Sequence, residues 1–127
     1  MSFGSDFYTH LNDSVDIEVY PLNLPQGTPL PAIVYTPLIF KRNGDSNLSE
    51  SNIVDRRFNI YVVADNPKSL MEYTEIVQDL YEGFSGSMGA TTIMISRINN
   101  SVSLYNATQQ TYECNVDTSF MVLKPTQ

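Results

Sequence analysis

"FNIYVVADNPKSLMEYTEIVQDLYEGF", residues 58–84, changes its apolar period halfway along. Phe58, Ile60 and Val62 alternate with Asn59 and Tyr61, the two-residue period of a strand with one face buried. Beyond Asn66-Pro67 the apolar residues Leu70, Tyr73, Val77, Leu80 and Phe84, with Ile76 alongside, recur at i, i+3 and i+4. That stripe predicts an amphipathic helix lying on a sheet. Asn66 is a suitable N-cap and Pro67 occupies the one helical position where the missing amide costs nothing, while Ser69 with Glu72 offers a second capping pattern. Gly83, Gly86 and Gly89 end the helix, so that "GFSGSMG" reads as a C-cap and flexible link.

Upstream, the strand extends over residues 53–64, with Val54, Phe58, Ile60 and Val62 on one face and Asp55, Arg57, Asn59 and Tyr61 on the other. Arg56 falls on the apolar face near the strand's end, where it reaches solvent or a neighbour. Residues 41–52, KRNGDSNLSESN, are polar throughout and have loop composition. Before them, residues 32–40 (AIVYTPLIF) form a strand in which Pro37 implies an edge position or a bulge. The preceding run contains Pro21, Pro25, Pro29 and Pro31. Prolines at this density forbid a helix, resist ladder pairing and hold the crossing between two strands in an extended shape at low entropic cost. Residues 16–20 alternate as a short, half-exposed strand, and residues 5–15 form a helix with Ser5 as N-cap and Phe7, Leu11 and Val15 on one face.

Downstream, residues 91–98 are a strand, followed by a turn at Asn99-Asn100. The last strand, 111–123, places Tyr112, Cys114, Val116, Thr118, Phe120 and Val122 on one face and Glu113, Asn115, Asp117 and Ser119 on the other. Together these elements describe one α+β domain over residues 1–127: a mainly antiparallel β-sheet with one long amphipathic helix and a short N-terminal helix packed on one face.

Composition excludes several function classes. Hydrophobic residues make up 42% of the chain and charged residues 17%, too apolar for a disordered segment. Net charge is −7 and the isoelectric point about 4.4, with only seven Lys and Arg, so a nucleic-acid reader is not expected. A single cysteine makes no internal disulfide and no multi-thiolate zinc site. The absence of a long apolar run and of a basic, then apolar start points to neither a membrane span nor a secretory signal, leaving the cytosol as the expected compartment.

Catalytic and metal-binding patterns are equally sparse. His10 is the only histidine and has no spaced partner, Cys114 sits on an apolar strand face, and the glycines of residues 83–89 follow a helix where a phosphate cradle must precede one. Ser87 stands where G-x-S-x-G needs its second glycine. Counting an EF-hand loop from Asp45 finds Glu50 in place of the sixth-position Gly and Arg56 in place of the final Glu. The sequons at Asn12, Asn47, Asn99 and Asn106 have a meaning only in a secreted chain. No enzyme activity and no cofactor are expected. Eight tyrosines favour strands and wet interfaces; Tyr61 and Tyr105, on polar or loop segments, are candidates for contact between subunits.

Tyr20-Pro21, Pro25-Gln26-Gly27, Pro31 and Val34-Tyr35, together with the strand-then-helix run of residues 58–84, carry a resemblance. The chain resembles the tail terminator (tail completion) family of long-tailed bacteriophages, of the minor tail protein U type. The resemblance implies a structural virion protein: a hexameric ring that caps the tail tube at its set length, touching the tail tube protein on one side and the head-side connector or stopper on the other. DNA would pass through the lumen without specific binding, and no membrane would be involved. The implied location is the tail or neck of the virion, reached from the host cytoplasm during assembly. The family's contact regions map onto the 41–52 loop, with Lys41, Arg42, Asp45 and Glu50, and onto the polar sheet face around Arg57, Asn59 and Tyr61. Two alternatives remain beside it, a head completion or connector protein of the same neck and a small non-enzymatic binding module.

Overall fold

A computed structural model describes residues 3–38 and 53–123. The element order is α1 (Phe3–Ser14), β1 (Glu18–Pro21), β2 (Ala32–Leu38), β3 (Ile53–Ala64), α2 (Pro67–Tyr81), β4 (Gly86–Met88), β5 (Thr91–Asn106) and β6 (Thr111–Leu123). The strands form one six-stranded sheet in the order β1-β2-β3-β6-β5-β4. Only β1 and β2 run parallel; every other neighbouring pair is antiparallel. The fold is thus α+β, with two helices among the described residues on a mainly antiparallel sheet. The helices have 12 and 15 residues, two elements of similar length rather than one long and one short.

Parallel neighbours cannot be joined by a tight hairpin, so the β1–β2 connection must cross back along the sheet. The proline run makes that crossing. Gly27 takes a positive φ of 85°, the Thr28 amide donates to the Pro25 carbonyl at 3.2 Å, and the Thr28 hydroxyl donates to the same oxygen at 2.6 Å. The Thr28–Pro25 bond places Gly27 third in a four-residue turn, where a positive φ of this size belongs to a type II turn and favours glycine. Pro37 lies beyond the β1 pairing, which ends at Tyr35, so one side of β2 is an edge at that point, as its proline implies.

Alternate residues of β3 and β6 build the buried face. Phe58, Ile60 and Val62 stand beside Cys114, Val116 and Phe120, all almost fully buried. Phe3 and Phe7 of α1 and Tyr81 of α2 press onto them, so both helices cover the same face. Phe7 stacks on Phe58 with ring centroids 4.3 Å apart and meets Phe120 edge-on at 5.4 Å; Tyr81 meets Phe120 edge-on at 5.3 Å. Such pairs add about 0.5–1.5 kcal/mol each beyond the area they bury. This aromatic cluster ties the N-terminal helix to the central strands.

Several local expectations change. Ser5 is inside α1, which spans Phe3–Ser14, and β1 starts at Glu18 instead of residue 16. Asn66 is the cap of α2, its side-chain oxygen accepting from the Ser69 amide at 2.8 Å, so the Ser69–Glu72 pattern is not the cap. Ile76 is exposed, and the buried stripe turns instead to Tyr81, the largest fully buried side chain. The stretch read as a flexible link contains β4, which pairs with β5. Asn99-Asn100 is no turn: β5 continues to Asn106, with Asn99 as the extra residue of a bulge. The chain reverses at residues 107–110, where Gln110 takes a φ of 56° and Asn106 Oδ1 accepts from the Gln109 amide.

Candidate interaction surface

The face of the sheet turned away from the helices carries the other half of each strand's alternation. Cross-strand partners have their side chains on the same side. Arg57 stands beside Ser119, Asn59 beside Asp117 and Tyr61 beside Asn115. The structure therefore gathers Arg57, Asn59 and Tyr61 onto one surface, as their spacing implies. Tyr105 is not part of it. It lies in β5 instead of a loop, on the helix-bearing side, where its ring packs 4.9 Å from that of Tyr112. Lys41, Arg42, Asp45 and Glu50, with the rest of residues 41–52, lie outside the described residues.

A polar network crosses the middle of this face. The Arg57 guanidinium donates diagonally to Asp117 at 2.5 Å, and the Asn99 side-chain amide donates to Ser119 at 2.6 Å and more weakly to Asp117 at 3.5 Å. Three strands contribute: β3 through Arg57, β6 through Asp117 and Ser119, β5 through Asn99. Alternation from Arg97, opposite Ser119, sets Asn99 on this face, and the bulge then shifts the register so that Asn100, Val102 and Leu104 lie on it as well. The ion pair is partly exposed, so its worth to folding is small, about 0–1 kcal/mol. Its larger effect is to hold the guanidinium in one orientation.

Apolar groups flank the network at both ends. Ile95, Met121 and Leu123 lie together at one end, and Val102 and Leu104 at the other; they are between 36% and 52% exposed. Sequence reasoning missed Val102 and Leu104, since the turn placed at Asn99-Asn100 removed the second half of β5 from the sheet, and Ile95 joins Met121 and Leu123 only through the register of β5 on β6. The alternation on β6 had already placed Asp117 and Ser119 on the polar side, but nothing in the sequence announced the contact with Asn99.

The buried polar groups serve the fold. Asp6 is 3% exposed and accepts from the Thr91 hydroxyl at 2.6 Å, inside the first turn of α1, where a carboxylate also meets the positive end of the helix dipole. Gly89, at φ 61°, passes so close that a Cβ would stand 2.4 Å from an Asp6 oxygen. His10 Nδ1 is 2.9 Å from the Tyr81 hydroxyl. Burial lowers the His10 pKa, partly opposed by Asp13, and burial pushes the Tyr81 phenol well above its ordinary range. At neutral pH a neutral phenol and a neutral imidazole therefore share this hydrogen bond. Ser96, also buried, donates its hydroxyl to the Tyr81 carbonyl.

A cleft of about 520 Å³ opens between the end of α1, the start of β1 and the proline run, with Asp16 and Glu18 on its wall. Asp16 accepts from the Tyr73 hydroxyl at 2.8 Å, and this bond is the main reason the Tyr73 pKa is raised. Among the described residues there is no group of three or more His, Cys, Asp or Glu placed to hold a metal ion. No helix among them is long and apolar enough to cross a membrane. No family model matches this chain, and no curated protein matches it.

Proposed function

We propose that this chain is a structural subunit of a long-tailed phage neck, a tail terminator that caps the tail tube as a ring and presents its other surface to the head. The observation that carries the reading is the outer sheet face: an ordered Arg57–Asp117–Asn99–Ser119 network between two exposed apolar groups. Mixed polar and apolar surface with an oriented arginine is the composition of a protein interface. The reading also rests on the resemblance of residues 20–35 and 58–84 to that family.

A closed ring needs two unlike patches on each subunit, since its contacts run head to tail. The outer face supplies one. The helix-bearing side, with the acidic cleft at Asp16 and Glu18, supplies a second of different chemistry. A net charge of −7 suits a lumen that DNA crosses without sticking, because like-charge repulsion acts over about 8 Å at physiological salt.

The test is tube growth. Purified protein added to polymerising tail-tube subunits should stop elongation and remain at tube ends, and Arg57→Glu should weaken that capping while leaving the melting temperature within a few degrees. Tubes that elongate at the same rate with and without the protein would rule the reading out and return the chain to the class of small binding modules.

A further inference from the structure

The two edges of the sheet differ in how they are protected. β1 is four residues long and ends in Pro21, and β4 has three residues, so both are short in the way that blunts an edge. β5 has 16 residues, of which β4 covers only Thr91 to Ile93. Just beyond, the edge is still occupied: the Ser96 amide donates to the Phe84 carbonyl, the Ser96 carbonyl accepts from the Gly83 amide, and the Ile98 amide donates to the Glu82 carboxylate. After the bulge at Asn99 nothing among the described residues pairs with the backbone on that side, apart from the Asn100 side chain bonding the Ser101 amide.

Position along the ladder identifies the free groups. In an antiparallel pair, alternate residues turn both amide and carbonyl to one neighbour. The Ser101 amide turns outward to the Asn100 side chain, so Ser103 and Tyr105, two and four residues on, also face outward. Residues 99–105 are all exposed, with Val102 and Leu104 about half exposed beside this edge. There is no lysine and no proline here; indeed no charged residue occurs from Ile98 to Tyr112.

We propose that the 99–106 edge of β5 pairs antiparallel with the same edge of a second copy of this chain, joining two sheets about a two-fold axis. Charge selects the occupant. Two chains of net charge −7 repel one another, and this segment is a stretch where two copies approach with no like charges opposed. With one long edge left open and two short ones among the described residues, the chain makes an isologous contact that closes at two and does not propagate. The pairing is made by the backbone edge of β5, apart from the Arg57–Asp117 network proposed for the ring.

The experiment is solution mass by light scattering over a wide concentration range, for the wild type, for Ser103→Lys and for Ser103→Pro, neither of which touches the outer-face patch, with circular dichroism to check that each variant is folded. Lysines at this exposed position would oppose one another across the axis, and the proline deletes one outward amide. The expected result is a wild type that reaches twice the mass of both folded variants at high concentration, whether the unit doubled is one chain or a ring. Hydrogen exchange should show protection of the Ser103 and Tyr105 amides that grows with concentration. Equal masses for wild type and both variants would overturn the pairing, even if that mass were a six-chain ring, and so would a wild type of single-chain mass throughout. Protection of these amides by added tail-tube subunit alone, with none in the pure protein, would also overturn it and assign the edge to a different chain.

Discussion

The two faces of the sheet are made by the same strands and obey opposite rules. Along β3 and β6, one set of alternate residues is Phe58, Ile60, Val62, Cys114, Val116 and Phe120, packed under both helices. The other set is Arg57, Asn59, Tyr61, Asn115, Asp117 and Ser119, paired with one another or half exposed. The first face gains its energy from water exclusion and ring packing, the second from oriented polar contacts whose net worth to folding is small. Stability therefore resides on one side, and the other is free to be shaped for association.

The largest change should come from the packed side. Phe7→Ala removes a fully buried ring that touches Phe58, Phe120 and Tyr81, and should cost about 3–5 kcal/mol, read as a lower denaturant midpoint. A mutant as stable as the wild type would mean that α1 is not docked as described. Next in size is a gain. The Thr118 hydroxyl is fully buried on the aromatic face and has no hydrogen-bond partner among the described residues, so Thr118→Val should stabilise by roughly 1 kcal/mol. If instead the valine mutant melts earlier, the hydroxyl has a partner and the contrast between the faces is less sharp.

Acid should reach the packed side through His10. Its folded pKa is lowered by burial, so the unfolded chain binds the proton more readily. The stabilising contribution is present above the unfolded value of about 6.5 and is lost as pH falls from there through the folded pKa. Because the ring is only half-buried, the effect is modest. Melting temperature should fall between pH 7 and 5 by more in the wild type than in His10→Gln; parallel curves would show that the Tyr81 bond does not depend on a neutral imidazole. Smallest of all is Arg57→Ala on the outer face, expected to change stability by about 0–1 kcal/mol while weakening self-association. A large loss of stability there would break the division of labour between the faces.

How much of this was legible depended on whether the signal was local. The bounds of β6, the cap and start of α2 and the alternation of β3 follow from period and from Asn66-Pro67, and the structure has them as read. The second half of β5 was hidden because Asn-Asn resembles a turn, whereas here Asn99 and Asn100 spend their side chains on Ser119 and on the Ser101 amide within a bulged strand. The true reversal at residues 107–110 contains no Gly or Pro to mark it. Tyr81 was missed because a tyrosine near the end of a helix reads as amphipathic, and only the tertiary fold brings His10 to its hydroxyl. Arg57, Asn59 and Tyr61 were placed on one face by period alone; their partners Asp117, Ser119 and Asn99 come from strands far away in sequence, so the network is a product of register.

The most direct test of the claim that the outer face serves assembly is the mass of the purified protein over a range of concentrations, with and without assembled tail tubes. The expected result is a ring-sized multiple of the 14.3 kDa chain, or a smaller species that assembles at tube ends, and in either case a loss of that assembly in Arg57→Glu. A single chain that ignores tubes at every concentration would contradict the account.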